Sequence, residues 1–155
     1  MQQMKSYKTP LRYPGGKSRA LSKLFQFIPD LSTYTEYREP FLGGGSVAIE
    51  VTKRYPHLKI WVNDLYEPLY NFWREIQDNG NEVKNILLQL KERHPDPVTA
   101  NQLFLDSKAY LEKDTSETEN IQRAVSFYVV NKCSFSGLTE SSSFSKQASN
   151  SNFSI

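Results

Sequence analysis

Tyr37-Arg38-Glu39-Pro40-Phe41-Leu42-Gly43-Gly44-Gly45-Ser46-Val47-Ala48-Ile49-Glu50 is the stretch on which the fold turns. It reads as the end of a strand, a glycine bend and the start of a helix. Gly43 and Gly45 stand two apart and Ala48 follows three later. That approximates G-x-G-x-x-G/A, in which small residues let the backbone approach a nucleotide-like ligand. Ser46 can cap a helix that begins at Val47. Downstream, the apolar run Leu58-Lys59-Ile60-Trp61-Val62 ends in Asn63-Asp64, which puts Asp64 21 residues after Gly43. An acid at the tip of a second strand suits a bidentate hydrogen bond to a ribose diol. The pattern predicts a cofactor that contains adenosine, without saying which.

A chain of 155 residues defaults to one domain and can bury a core. Its 38% hydrophobic and 13% aromatic content excludes a wholly disordered composition. The single cysteine, Cys133, cannot form an internal disulfide and fits a reducing compartment. No apolar run approaches the ~20 residues that span a bilayer, and Met1-Gln2-Gln3-Met4-Lys5 leads into no signal segment. The expected location is the cytoplasm, with no membrane partner. Net charge is +2 but uneven: Lys5, Lys8, Arg12, Lys17, Arg19 and Lys23 crowd residues 1–23, which hold no acid. Such an end can meet phosphate, although on charge alone a solvated basic terminus is the favoured reading.

Outward from the glycine bend the elements alternate. Residues 6–17 hold Pro10, Pro14, Gly15 and Gly16, which is turn chemistry. From Ser18, Leu21, Leu24, Phe25 and Ile28 recur on one helix face, stopped at Pro29-Asp30. The first strand falls within 34–41, a helix runs from Ser46 to Tyr55, and the second strand covers 58–63. Pro68 opens another helix with Leu69, Phe72, Trp73 and Ile76 inward, ended by Gly80. Three more helical patterns follow: Val83 to Leu90, Ala100 to Leu111 and Ile121 to Asn131. A doubly wound domain would return to a strand sooner, so residues 81–131 read as a helical insertion. From Ser134 on, nine of 22 residues are serine, the composition of a disordered tail.

Two rival motifs are weaker. Gly16-Lys17-Ser18 imitates the end of a phosphate-binding loop, but Leu11 stands where its first glycine is required and no buried strand precedes it. Tyr13 and Lys17 instead offer a stacking face and a cation, suited to an adenine-like ring and a carboxylate. A nicotinamide dinucleotide domain usually opens with its first strand, whereas here a helix and the Tyr13 to Lys17 loop come first. His57 and His94 lie beside prolines with no partners at metal spacing, so no metal is expected. Cys133, Trp61 and Trp73 read as packing residues; Tyr110 and Tyr128 suit either the core or base stacking.

Arg12-Tyr13-Pro14-Gly15-Gly16-Lys17, then Glu39-Pro40-Phe41-Leu42-Gly43-Gly44-Gly45-Ser46, then Val62-Asn63-Asp64, resemble in order the N-terminal half of a Dam-type (D12 class) DNA adenine-N6 methyltransferase. Asn131-Lys132-Cys133-Ser134-Phe135-Ser136-Gly137 is similar to that family's Asn-Arg-x-x-Phe-x-Gly stretch. The resemblance implies an α/β fold: a Rossmann-like S-adenosylmethionine sheet, incomplete here, in residues 1–80, and a helical target-recognition insertion in 81–155. It implies that Tyr13 and Lys17 contact S-adenosyl-L-methionine, that Phe41, Gly43, Gly44, Gly45 and Ser46 wrap it, and that Asp64 holds its ribose. Double-stranded DNA is the implied partner, met by the insertion with residues such as Lys132 and Lys146.

One departure matters. The family's catalytic Asp-Pro-Pro-Tyr supplies hydrogen-bond acceptors to the adenine amino group and a ring that stacks on the flipped base. No such string occurs in these 155 residues. Asp96-Pro97-Val98 lacks the second proline and the aromatic and reads as an interhelix turn. No catalytic residue is therefore assigned, and the chain by itself is expected to be inactive. The expectation is an N-terminal portion of the enzyme, its last segment ordering on DNA or on a C-terminal half supplied in trans. The alternatives are a non-catalytic remnant that binds S-adenosylmethionine or DNA, half of a split enzyme, and, more remotely, a nicotinamide-dependent oxidoreductase.

Overall fold

The computed structural model describes residues 7–137, 139 and 141–153. Lys5 and Ser6 of the basic end, and Leu138, Glu140, Ser154 and Ile155 of the serine-rich stretch, lie outside them. The chain divides into two compact units, Met1–Leu65 and Tyr66–Ile155. This geometric division falls earlier than the functional one expected at residues 80 and 81.

The first unit is built on a β-α-β path. Strand β1 (Glu36–Glu39) pairs in parallel with β2 (Lys59–Val62), in the register Glu36 to Lys59 and Glu39 to Val62. Helix α2 (Ser46–Arg54) connects them and buries Ala48 and Val51. The preceding helix is shorter than its periodicity predicts. Only Leu21–Leu24 is α-helical (α1), and the chain then tightens into turns in which Gln26 and Phe27 N–H bond to carbonyls three residues back. The expected face is still the one that packs: Leu21, Leu24, Phe25 and Ile28 are half-buried, whereas Phe27 is exposed. Trp61, expected in the core, is 48% exposed, because β2 turns it to the same face as Lys59. Fold class is thus α/β with a small parallel sheet.

The second unit is helical. α3 (Glu67–Arg93) runs through Gly80 as one element, where two helices were expected. The break is nonetheless real: Asn79 leaves helical geometry at φ −131°, and its amide donates to Oε2 of Glu75 one turn back at 2.7 Å. α4 (Pro97–Leu111) begins with Asp96 as N-cap, whose Oδ1 accepts from the N–H groups of Val98 and Thr99 at 2.8 and 3.1 Å. Asp96-Pro97-Val98 is therefore a helix start, with Pro97 where a missing N–H costs nothing. α5 (Asn120–Cys133) packs against both α3 and α4. It is buried on nearly every side, so its residues show no strong amphipathic stripe. Its Phe127 and Tyr128 rings meet Phe72 of α3 at 5.5 and 6.0 Å.

The serine-rich segment is packed rather than a tail. Ser134 and Phe144 form an antiparallel bridge, and α6 (Lys146–Asn152) contacts α4 and α5. Ser134, Ser142, Ser149 and Phe153 are buried. Composition misled here because Ser134, Ser149 and Ser145 spend their hydroxyls on nearby backbone: Ser134 donates to the Asn131 carbonyl, Ser149 to the Lys146 carbonyl, and Ser145 caps α6 through the Ala148 N–H. Among the described residues no helix is long and apolar enough to cross a membrane, and no group of three or more His, Cys, Asp or Glu could hold a metal ion.

Candidate functional site

The glycine bend is shaped by two left-handed residues. Gly43 has φ +53° and Gly45 has φ +70°, values that a Cβ would penalise. Gly45, not Ser46, is the N-cap of α2. Ser46 lies inside the helix, and its hydroxyl bonds instead to the Ser18 hydroxyl at 2.7 Å. The bend is tied to the end of β2 at two points. Leu42 N–H donates to the Asn63 carbonyl at 2.9 Å, and Gly43 N–H donates to Oδ2 of Asp64 at 2.8 Å.

A second loop faces this bend. Gly16 N–H donates to the Tyr13 carbonyl at 2.9 Å, and Nζ of Lys17 donates to the Gly15 carbonyl at 2.6 Å, which folds residues 13–17 into a tight turn. The Tyr13 ring lies on the glycines. A Cβ placed on Gly43 would be 3.0 Å from Cε1 of Tyr13, and one on Gly44 would be 2.8 Å from its Cβ. So the absence of side chains here serves the approach of the Tyr13 loop as well as any ligand.

Between the loops lies an open cavity of about 260 Å³. Tyr13, Lys17, Phe41, Gly43, Gly44, Gly45 and Ser46, seven of the residues expected from the sequence, all line it. Asp64 is not among the lining residues; its Oδ2 accepts from the Gly43 N–H. Glu39, Gly15, Gly16, Leu42 and Val47 complete the lining and were not singled out from the sequence. Glu39 had a visible signal: it shares a strand face with Tyr37, two residues earlier. The Tyr37 hydroxyl donates to Oε2 of Glu39 at 3.0 Å. Burial raises the Glu39 carboxyl above its ordinary range, against the lowering by the Tyr37 hydroxyl and the Ala48 backbone. Tyr37 is raised as well, by burial first and then by the Glu39 charge.

In the second unit the Asn131 to Gly137 stretch forms a clasped loop. Nδ2 of buried Asn131 donates to the Gly137 carbonyl at 3.0 Å, while Ser136 and Gly137 both take positive φ. The closure leaves Phe135 at 65% exposure. Nζ of Lys132 lies 5.2 Å from the Tyr128 ring, and burial pushes the Tyr128 hydroxyl up to about 12. Tyr128 is a core residue. Tyr110 is half-buried, and its hydroxyl accepts from the Glu119 N–H at 3.0 Å. Cys133 is fully buried, as expected of a packing residue.

The family model for D12 class N6 adenine-specific DNA methyltransferases matches residues 13–153, from the tyrosine of the first loop to the last packed phenylalanine. The chain belongs to that family. Among curated proteins, this D12 class chain is similar to the Type II methyltransferase M.MjaIII of Methanocaldococcus jannaschii, with 23% identity over 133 residues. That match covers 83% of this chain and 46% of the relative. It is also similar to the Type II methyltransferase M1.LlaDCHI of Lactococcus lactis subsp. cremoris, with 23% identity over 129 residues, covering 82% of this chain and 41% of the relative. The chain thus spans less than half the length of the curated relatives it matches. The family's reaction class is methyl transfer to DNA, and methyltransferases in general take the methyl group from S-adenosylmethionine. The lining residues fit such a ligand: an aromatic face from Tyr13 and Phe41, bare backbone at the glycines, and side chains of both charges in Lys17 and Glu39.

Proposed function

We propose that residues 1–80 of this chain form the S-adenosylmethionine-binding part of a Rossmann-like DNA adenine-N6 methyltransferase, and residues 81–155 its target-recognition part. The observation that carries this reading is the convergence of two loops, residues 13–17 and 39–47, on one cavity lined by the aromatics Tyr13 and Phe41, the cation of Lys17 and the glycines of both loops. Tyr13 and Phe41 would cover the adenine, Gly43 to Ser46 would accept close approach of the nucleoside, and Lys17 would meet the carboxylate. Asp64 would act in two ways, by fixing the bend and by reaching the ribose. When bound, S-adenosylmethionine supplies an electrophilic methyl group. The chain's own contribution is to hold that group in line, which favours transfer by proximity and orientation. The Asn131 to Gly137 loop, with Lys132 and exposed Phe135, would face duplex DNA.

Asp-Pro-Pro-Tyr is absent from the 155 residues, so we assign cofactor and DNA binding to this chain and no catalytic group. The alternative retained is a non-catalytic binding module. Thermal melts with S-adenosylmethionine, S-adenosylhomocysteine, NAD and ATP test the cofactor reading. Stabilisation by the two adenosyl amino acids alone is the expected result, and protection by NAD or ATP instead would overturn it. A methyl-transfer assay with DNA should give no product from this chain alone. Turnover without any added polypeptide would show that another residue does the work of the missing motif.

A further inference from the structure

Of the two loops that line the cavity, only the glycine bend is built into the sheet unit's elements. It runs from β1 into α2 and is tied to the end of β2. The Tyr13 to Lys17 loop has no such frame. Every residue from Tyr13 to Arg19 is exposed, and Gly15 takes φ +73°. Gly16 N–H donates to the Tyr13 carbonyl and Ala20 N–H to the Lys17 carbonyl, which shapes the loop without attaching it to its surroundings. Near its start the loop is held by the Tyr13 ring, which packs on Gly43 and Gly44. Just past its end it is held by one side-chain bond. The hydroxyl of Ser18, the residue after Lys17, shares a hydrogen bond with the Ser46 hydroxyl at 2.7 Å, across 28 residues of sequence. Among the described residues, it is the one hydrogen bond from residues 14–19 to anything beyond Tyr13 and Ala20. Its far end is firm: Ser46 is buried in the first turn of α2 and lines the cavity.

We propose that Ser18 is a positioning residue for the cofactor: by holding the Ser46 hydroxyl, it fixes the Tyr13 to Lys17 loop against the glycine bend and presents the ligand with a wall already in place. The inference rests on the S-adenosylmethionine reading above. Ser18 is not among the lining residues, so it acts through Ser46 and through Lys17, its neighbour in the chain. An exposed loop with two glycines has wide conformational freedom when released at one end. The apparent affinity then falls by the fraction of molecules in which the wall is formed.

The test combines hydrogen exchange of the ligand-free chain with calorimetric titration of S-adenosylhomocysteine. In Ser18→Ala, exchange at the Gly16 and Ala20 amides should be roughly 3- to 10-fold faster, and binding weaker by a similar factor. Ser18→Thr keeps the hydroxyl and should restore both. Ser46→Ala removes the same bond, so adding Ser18→Ala to it should cause no further loss of affinity. Unchanged exchange in Ser18→Ala overturns the inference. So does an equal loss of affinity from Ser18→Ala in the wild-type and Ser46→Ala backgrounds, because Ser18 would then act without Ser46. A Ser18→Thr variant that behaves like Ser18→Ala also contradicts it, since the size of the residue and not its hydroxyl would matter. If wild type binds and Ser18→Ala binds equally well, this inference alone fails. If wild type binds no S-adenosylhomocysteine, the cofactor reading fails and this inference falls with it.

Discussion

The backbone N–H of Gly43 donates to Oδ2 of Asp64 at 2.8 Å, a bond that joins the bend after β1 to the end of β2. It gives Asp64 a structural task beside the ribose contact expected from the sequence, and the two tasks separate by mutation. Asp64→Ala removes the acceptor of a part-buried N–H and is expected to destabilise the fold by about 1–3 kcal/mol. Asp64→Asn keeps an acceptor and should recover most of that stability. It should not recover affinity for S-adenosylmethionine, because a carboxylate accepts from both ribose hydroxyls and an amide does not. Chemical denaturation and calorimetry on the same two variants check this. Full binding by Asp64→Asn would confine Asp64 to the bend.

Gly44 offers a test of the Tyr13 contact. An added Cβ would lie 2.8 Å from Cβ of Tyr13, an atom too close to the backbone to swing aside. Gly44→Ala should therefore displace the Tyr13 loop and weaken cofactor binding. In a Tyr13→Gly background the same alanine should cost less, giving a coupling of about 0.5–3 kcal/mol in a double-mutant cycle. Additive effects would mean that the two loops do not touch in solution.

Glu39 sets a pH dependence of the empty protein. Its folded-state carboxyl is raised above the ordinary 4.5, by burial first. The sign follows from linkage: a raised carboxyl contributes stability below its unfolded value and loses it as pH rises through the folded value. Glu39→Gln should then melt higher than wild type at neutral pH without ligand, and the gap should close as pH falls below 4.5. A variant that melts lower at neutral pH would show that the ionised group supports the fold.

Asn131 and Phe135 separate folding from recognition in the second unit. Asn131→Ala leaves the Gly137 carbonyl without its donor inside a buried loop, at a cost of about 1–3 kcal/mol. Phe135 is 65% exposed, so Phe135→Ala should change stability by only about 0.5 kcal/mol. Fluorescence anisotropy with duplex DNA should nevertheless show weaker binding by Phe135→Ala. Unchanged DNA affinity would place the contact surface elsewhere.

The glycine bend was legible because its requirements are local. Glycine spacing, a strand before and a helix after can be read from a dozen residues, and Tyr13, Lys17 and the bend do converge on one cavity. Hydrophobic spacing likewise located the inward face of α3, where Leu69 and Phe72 are buried. What escaped was set by tertiary partners. Ser46 looked like a cap, but the left-handed Gly45 takes that place and frees Ser46 to bond Ser18. Gly80 looked like a stop, but one side-chain bond from Asn79 to Glu75 turns the interruption into a bend within α3. The serine-rich segment looked disordered because composition does not record that a serine can bond its own backbone, or that Nζ of Lys108 would reach the Ser142 carbonyl at 3.1 Å. For Glu39 the two-residue spacing from Tyr37 is visible, but the burial that raises its carboxyl is set by tertiary packing and is not.

The most direct test of the central claim is a crystal structure of this chain with S-adenosylhomocysteine. The adenosine is expected between Tyr13 and Phe41, against the backbone of Gly43 to Gly45, with the amino-acid arm running toward Lys17. Density for the ligand at any other place, or a cavity closed by Tyr13 with no ligand bound at saturating concentration, would contradict it.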